Sequence, residues 1–476
     1  MKLNKLTLYF ILGPLLLMTA CGIPKFSQRT ENKEVPQAFV NSNEDTVTVA
    51  DIKWKDFFTD PNLISLIDTA LANNQEYNII QQEIFMRRNE ISAKKGEILP
   101  SVDINAGAGF DKAARYTRDG AVDANVEIEP GEEIPEPLQD YKIAFDASWE
   151  IDIWRKLRNS RDAAVQRYLA SVEGQQFMKT KLIEEVASSY YELLSLDKQL
   201  AIVNDYITLQ SNALKVVKIQ KEVGEVTELA VRRFQAEVLS TKSIRYELQQ
   251  EIVMTENRIN FLLGRFPQPI VRNIESFENN IASDLSVGVP SQLLENRMDI
   301  REAEYELEAS KLDVKVAKAQ FYPSVSISAG VGLQAFNPTY LIKSPQSILY
   351  SMAGDLVAPL INRKAIKASY LNANAKQMAA VYNYEKTVLN AYLEVYNQVS
   401  KIDNITNSYN LKSEEVEVLN GAINIANDLF TSAKADYMEV LMTQRDALDA
   451  KMEQVEYRKN YLLSIVNLYK ACGGGL

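Results

Sequence analysis

The chain has 476 residues, no histidine, two cysteines and a formal net charge of −11 at pH 7. Without histidine it lacks the commonest general base and the commonest metal ligand, and Cys21 and Cys472 are too few for a zinc site or a disulfide framework. The acidic balance argues against nucleic-acid binding, which favours basic chains. The sequence therefore predicts no catalytic residue, no metal, no cofactor and no nucleic-acid partner.

Residues 1–20 have the form of an export signal peptide, in which lysines precede a short apolar run, 6–17, that is followed by small residues. The run is shorter than the ~20 residues that a membrane-spanning helix needs. A small residue followed by Cys21 resembles a bacterial lipobox, in which the cysteine becomes the acylated first residue. We therefore expect lipidation at Cys21, for example with palmitate. An ordinary signal peptide with a coincidental cysteine is the alternative.

Residues 141–153 alternate between apolar and polar side chains, and this period of two predicts a strand. Tyr141, Phe145 and Trp149 belong to the apolar set, whereas Asp146, Glu150 and Asp152 belong to the polar set. A soluble sheet could show this pattern over a core. In an outer-membrane barrel the apolar face meets lipid and the polar face lines water, which is how we interpret the two sets.

The segment 119–140 that precedes this strand is acidic and contains no basic residue. Pro130, Pro135 and Pro137 predict that it has no regular structure. Its acidity fits either simple solvation or a role in selectivity.

Long helices are predicted over most of the remaining chain. Helix breakers are almost absent from 157–263, and apolar residues recur there at heptad-like spacing. The span 157–222 alone would be about 100 Å long at 1.5 Å per residue. The helices should reverse direction near 222–225, and a second long pair, within 402–468, should reverse near 431–436.

The chain contains an internal repeat. ILPSVDINAGAGF (98–110) matches FYPSVSISAGVGL (321–333), and the Val, Gln and Leu spaced by four residues from Val231 recur from Val440. Each copy therefore has a helix, a strand, a loop, a second strand and two long helices, with second-copy strands near 324–333 and 348–360.

The mature sequence contains no apolar run long enough for a spanning helix, so a membrane-spanning form would need a β-barrel. Four strands are too few to close a barrel, for which about eight is the practical minimum. Three protomers would supply twelve, so the strand count favours a homotrimer.

Five segments resemble TolC-like outer-membrane factors, especially the lipoprotein branch that serves resistance-nodulation-division pumps. They are WKDFFTDPNLISLIDTALANNQEYN (54–78), WEIDIWRKLR (149–158), FLLGRFP (261–267), VPSQLLENRMDIREAEYELEASK (289–311) and YKACGGGL (469–476). The resemblance implies a mainly α fold with two tandem repeats. Long helical hairpins would form a periplasmic α-barrel, and four strands per protomer would contribute to a trimeric twelve-stranded outer-membrane β-barrel.

The same resemblance implies partners and site residues. The tube would close like an iris at its lower end and dock with a periplasmic adaptor and an inner-membrane pump. Val223 and Gly224 match the family's first adaptor-contact turn, whereas Ala433 stands in the second turn where the family usually has glycine. Glu439 falls where the family places an acidic residue that narrows the closed pore, with Asp436 nearby. Either could instead be a solvated helix charge.

We predict six segments and one leading function. The segments are a signal peptide (1–20), a lipid-anchored segment (21–58), the first repeat (59–270), a linker (271–288), the second repeat (289–470) and a tail (471–476). The leading function is a passive outer-membrane exit duct for small molecules in a tripartite efflux system, lipid-anchored and extending into the periplasm. The alternatives are a duct for type I protein secretion, a lipid-anchored coiled-coil scaffold without a pore, and a carboxylate-dependent hydrolase, of which we disfavour the last.

Overall fold

The structure, a computed structural model, describes residues 23–24, 29–39, 48–278, 286–432 and 434–474. They form two compact units. The first unit takes its described residues from 1–30, 86–168 and 305–381, and the second takes them from 31–85, 169–304 and 382–476. Among the described helices, none is both long enough and apolar enough to cross a membrane.

Helices account for most of the described chain, as predicted. In chain order they are α1 (Trp54–Phe57), α2 (Pro61–Asn73), α3 (Gln75–Gly96), α4 (Arg118–Asp123), α5 (Lys156–Glu222), α6 (Glu228–Leu262), α7 (Gln292–Asn296), α8 (Met298–Ala319), α9 (Lys364–Thr431) and α10 (Tyr437–Ala471). Single 3₁₀ turns occur at Val49–Asp51, Ile274–Phe277 and Pro338–Tyr340.

The long helices of the second unit pack through their heptad positions. Val203 is fully buried and Leu196 is 6% exposed, and both lie in a cluster with Leu248 of α6 and Leu448 of α10. Each such side chain stabilises the packing by roughly 1.5–3 kcal/mol. Helix α5 continues through Gly174, where a Cβ atom would meet the Glu302 carboxylate of α8 at 3.1 Å. Gly174 therefore permits close packing of two helices.

Four strands form one antiparallel sheet in the first unit. They are β1 (Ser101–Asp111), β4 (Leu138–Ile151), β5 (Ser324–Ala335) and β6 (Ile348–Val357), in the spatial order β1-β4-β5-β6. The repeat-related strands β1 and β5 both pair with β4. Strand β6 ends before Pro359, which has no N–H to continue a ladder.

The predicted irregular loop 119–140 contains regular structure, so that prediction is wrong. Its start lies in α4, where the Thr117 hydroxyl accepts a hydrogen bond from the Gly120 N–H at 3.2 Å. Strands β2 (Glu127–Glu129) and β3 (Glu132–Glu133) follow as a short hairpin, which turns through Gly131 at a φ of 83°. A side-chain cap and a glycine turn thus build structure between the prolines.

The ends of α6 and α10 are held by side chains at repeat-related positions of the second unit. Asn74 Nδ2 donates to the Leu262 carbonyl at 2.9 Å. In the second copy, Arg297 Nη1 donates to the Ala471 carbonyl at 3.0 Å. Both donors satisfy carbonyls that the end of a helix leaves without an intrahelical partner. The predicted division of the chain into six segments remains a prediction.

Candidate functional site

One face of the four-stranded sheet carries exposed apolar side chains. The register places Ile104, Phe145, Val331 and Tyr350 side by side across the four strands. Phe145 is 55% exposed and Tyr350 84%. Other exposed members of this apolar face are Val102, Phe110, Ile143, Trp149, Ile348, Met352 and Leu356. A contiguous apolar patch that spans a whole sheet marks contact with another molecule or with lipid.

The opposite face is polar and hydrogen-bonded. Asn105 Nδ2 donates to Asp146 Oδ2 at 2.7 Å, and the hydroxyl oxygens of Ser101 and Ser148 lie 2.8 Å apart. Phe145 and Asp146 therefore point to opposite sides, because successive strand residues alternate between faces. A carboxylate on a sheet face requires water or polar partners, so the polar face is suited to water and the apolar face is not.

Asp152 does not continue this polar face, and the prediction that it faces water with Asp146 and Glu150, in the lumen or at its mouth, is wrong for this residue. Strand β4 ends at Ile151, and the Asp152 side chain is only 6% exposed. Its carboxylate accepts hydrogen bonds from the backbone N–H groups of Leu157, at 3.1 Å, and Arg158, at 2.9 Å. The residue thus caps the start of α5.

Val223 and Gly224 lie in the turn that joins α5 to α6. Gly224 has a φ of 83°, and its N–H donates to the Lys221 carbonyl while the N–H of Glu225 donates to the Gln220 carbonyl. This pair of bonds ends α5 in a Schellman motif, which favours glycine at the left-handed position. Val223 is 69% exposed. The turn thus presents an apolar side chain that its own unit leaves exposed.

A carboxylate beside the first turn is neutralised by neighbouring cations. Glu228, at the start of α6, contacts Lys221 at 2.6 Å and Arg232 at 2.8 Å. Lys221 first, and Arg232 second, hold the pKa of the Glu228 carboxyl below its usual range. The charge of Glu228 is therefore balanced by its neighbours.

Asp436 and Glu439 lie at the second turn, where α10 begins. Asp436 is the N-cap residue of α10, and its carbonyl accepts the Glu439 N–H at 3.1 Å. Both residues are exposed, and within the described part of the chain neither carboxylate forms an ion pair. Asp436 and Glu439 therefore differ from Glu228, whose charge is balanced by two cations. Ala433, the third predicted tip residue, lies outside the described residues, as do Cys21 and the predicted signal peptide 1–20.

Sequence reasoning missed two exposed stripes on the long helices of the second unit. On α6, the residues at heptad spacing are Leu239, Tyr246 and Val253, which are 60%, 63% and 48% exposed. On α9, Leu411, Val418 and Ile425 are 68%, 71% and 62% exposed. We call these sets the α6 stripe and the α9 stripe. Periodicity alone could have revealed their heptads but not their exposure.

Across the described residues, no cluster of three or more Cys, Asp or Glu side chains is arranged to hold a metal ion.

Comparison with known proteins identifies one family along most of the chain. The family model described as outer membrane efflux protein matches residues 66–265 and 289–474. The cation efflux system protein CusC of Escherichia coli O6:H1 is 25% identical over 467 residues, which cover 97% of each chain. The probable outer membrane lipoprotein SilC of Salmonella typhimurium is 24% identical over 455 residues, which cover 95% of this chain and 93% of its own.

A solved structure shares the fold. The open state of the MtrE outer membrane channel of Neisseria gonorrhoeae matches with a TM-score of 0.83 at 23% identity, over 96% of this chain and 98% of that one. The similarity extends over nearly the whole of both chains. The two-faced sheet and the long helices are therefore features of a known channel fold.

Proposed function

We propose, because this chain belongs to the outer membrane efflux protein family, that it is the exit duct of a tripartite efflux system. In this proposal an inner-membrane pump supplies the energy and a periplasmic adaptor joins pump and duct. The observation that carries the proposal is the two-faced sheet, which has an exposed apolar face and a hydrogen-bonded polar face. Apolar-out and polar-in alternation is the pattern of a barrel that conducts through lipid.

Trimer formation is part of the proposal. The four-stranded sheet has two edges, because β1 and β6 each pair with one strand within the described chain. Open edges with free N–H and C=O groups are templates for pairing with another chain. Three copies joined edge to edge would give a closed twelve-stranded barrel, whereas four strands cannot close.

The α6 stripe and the α9 stripe support the same assembly. Heptad-spaced apolar residues pack in coiled coils between helices, yet these residues are largely exposed within their own unit. A neighbouring copy would bring further long helices against them. A coiled-coil scaffold without a pore would use the stripes, but it would leave the apolar face of the sheet in water.

We assign the two turns to the periplasmic end of the duct. Val223 and Gly224, with Ala433, form the adaptor contact in this proposal, and Glu439 and Asp436 form the constriction. Threefold symmetry turns each exposed carboxylate into a ring of like charge, which favours cations and disfavours anions. The unpaired state of both side chains supports this role, because an ion-paired carboxylate would contribute little field.

A lipid anchor at Cys21 completes the proposed placement. Ile23, two residues further on, packs against a buried cluster that includes Phe321 and Tyr370, just before β5 and in α9. Ile23 thus lies beside the sheet, which supports an anchor at the cysteine two residues before it. The similar protein SilC is named as a lipoprotein. We further propose that the duct is passive and catalyses no reaction, so that substrate choice lies with the pump.

The proposal is tested by a charge placed on each face of β4. Phe145→Arg puts a cation on the apolar face of the sheet. Asp146→Arg, at the neighbouring residue, puts a cation on the polar face. A charge facing lipid at mid-bilayer costs about 2–4 kcal/mol per site. We expect Phe145→Arg to abolish most assembled trimer in outer-membrane fractions, whereas Asp146→Arg should leave the trimer assembled and alter its conductance in planar bilayers. Equal loss of trimer from both variants would refute the face assignment.

A further inference from the structure

An aromatic pair marks the end of the sheet at which the helices attach. Trp154 lies three residues after β4, and Tyr322 lies two residues before β5. Their rings stack with centroids 4.7 Å apart, and Trp154 Nε1 donates to the Pro323 carbonyl at 2.7 Å. The indole is thus fixed in place, and 46% of Trp154 remains exposed. Amphipathic rings at the end of an apolar band are typical of the level of the lipid headgroups.

A cavity of about 630 Å³ opens beside this pair, lined by both rings and by residues of α5 and α8. Three cations line it, Arg155, Lys315 and Lys318, against one carboxylate, Asp162. Lys315 and Lys318 are three residues apart on α8, so they lie on the same side of the helix.

The carboxylate in the cavity leaves the two lysines without an ion-pair partner. Asp162 already contacts Arg161, which lies outside the lining, at 2.6 Å, and Arg155 reaches it at 3.7 Å. Lys315 and Lys318 are exposed, and within the described chain they form no ion pair. Solvation alone would explain an exposed lysine on a polar helix. It would not explain two lysines beside a fixed indole at the end of an apolar face, where lipid phosphates would lie.

We propose that this cavity binds the phosphate headgroup of a membrane phospholipid. Lys315 and Lys318 contact the phosphate, and the Trp154–Tyr322 pair packs against the glycerol and the first acyl carbons. The acyl chains extend along the apolar face of the sheet. Basic pockets beside membrane-spanning segments bind anionic headgroups by the same combination of charge and aromatic contact. The inference rests on the proposed placement of the apolar face in lipid.

The test uses full-length protein purified from membranes in detergent and delipidated, with phosphatidylglycerol as the probe in native mass spectrometry. Lys315→Gln/Lys318→Gln removes two charges from the cavity. Lys218→Gln/Lys376→Gln is the matched control, because both lysines are exposed on long helices outside the cavity. Diacylglycerol with the same acyl chains tests the headgroup, and inorganic phosphate tests whether a free anion is sufficient.

We expect phosphatidylglycerol to bind wild type and the control equally, and to bind the cavity variant about 30-fold more weakly, as two lysines at an anionic surface would predict. Diacylglycerol should not bind the cavity, and millimolar phosphate should not displace the phospholipid. Equal lipid binding by cavity variant and control would overturn the proposal, and displacement by phosphate would replace the lipid with a free anion. Each variant's trimer and conductance are measured in parallel. If the cavity variant has wild-type trimer, wild-type conductance and unchanged lipid binding, the lipid site alone is rejected. If the wild-type protein forms no trimer, the proposed function is rejected.

Discussion

In both copies of the repeat, a side chain donates a hydrogen bond to the last carbonyl of a long helix, but the side chain differs between the copies. At the end of α6 the Leu262 carbonyl accepts from the neutral amide of Asn74. At the end of α10 the Ala471 carbonyl accepts from Arg297, which also contacts Asp299 at 2.6 Å and Glu394 at 2.7 Å. Burial opposes the charge on Arg297, but Asp299 and then Glu394 outweigh it, so that the pKa of the guanidinium is raised.

The comparison teaches which property of the repeat the fold requires. Both positions need a donor that reaches a terminal carbonyl, because a buried carbonyl without a partner costs free energy. The first copy meets this need with one hydrogen bond, whereas the second recruits two carboxylates to a side chain that is only 4% exposed. The backbone geometry is therefore repeated while the electrostatics are not.

The largest expected effect comes from removal of these donors. Arg297→Ala should destabilise the protein by about 3–5 kcal/mol, because it leaves two carboxylates without their buried cation. Asn74→Ala should cost about 1–3 kcal/mol, the cost of one unsatisfied buried group. Thermal and denaturant unfolding of the detergent-solubilised protein measures both, and Arg297→Lys should recover part of the loss. Equal effects of the two alanine variants would mean that the carboxylates contribute nothing.

A second difference separates Gln444 from its repeat partner Gln235. Gln444 is 1% exposed, and its amide nitrogen and oxygen have no hydrogen-bond partner within the described chain, whereas Gln235 is exposed. Gln444→Met should stabilise the protein by about 1–3 kcal/mol, because it removes the desolvation cost of an unpaired amide. Gln235→Met should change stability by less than about 0.5 kcal/mol. A lower melting temperature for Gln444→Met would instead reveal a partner for the amide.

A third contrast separates Glu228, which is ion-paired, from Glu439 and Asp436, which form no ion pair within the described chain. Glu439→Gln should weaken block of the bilayer conductance by multivalent cations about fivefold or more, since one charge about 4 Å from a cation contributes about 1 kcal/mol in water. Asp436→Asn should have a smaller effect. Glu228→Gln is the control and should have none, because Lys221 and Arg232 already balance that charge. If Glu228→Gln weakens block as much as Glu439→Gln, the constriction does not lie at the second turn.

The smallest effect concerns Cys472, which occupies the position of Leu263 in the second copy. Both side chains are buried, and burial raises the pKa of the Cys472 thiol to about 12. Since a raised pKa keeps the thiol protonated well above neutral pH, a maleimide should not label the folded protein at pH 8. Denatured protein should react at this site at once, which mass spectrometry of the tryptic peptide would show. Rapid labelling of the folded form would mean that this end of α10 opens.

Much of the fold could be predicted because its periodicities are long. Period-two alternation from Tyr141 to Ile151 specifies strand β4, and heptads over about a hundred residues specify α5 and α6. The errors arose where one side chain decides the local structure. Asp152 continues the alternation by coincidence, yet its carboxylate caps α5. Gly131 and the Thr117 cap likewise build a hairpin and a helix among prolines.

The candidate site was only partly accessible from sequence. Gly224 could be placed because a glycine after a long helix predicts a left-handed end. Glu439 was identified only through resemblance, since an acidic residue in the first turn of a helix is common for reasons of the helix dipole. From the sequence alone, the exposed heptad residues of the α6 and α9 stripes could not be distinguished from heptad residues buried in the core. Periodicity shows that a helix has an apolar face, but not which molecule covers that face.

The exposed stripes affect the solubility of a single protomer before the proposed trimer forms. Leu239 is 60% exposed, whereas its repeat partner Leu448 is 4% exposed. The second copy exposes its apolar stripe on α9 instead, so a single protomer carries unpartnered apolar surface on both copies. In the proposed trimer these surfaces would be covered, whereas a single protomer would be open to aggregation and proteolysis. Because association of three protomers depends steeply on their concentration, slower synthesis of the chain would reduce the proposed trimer more than proportionally.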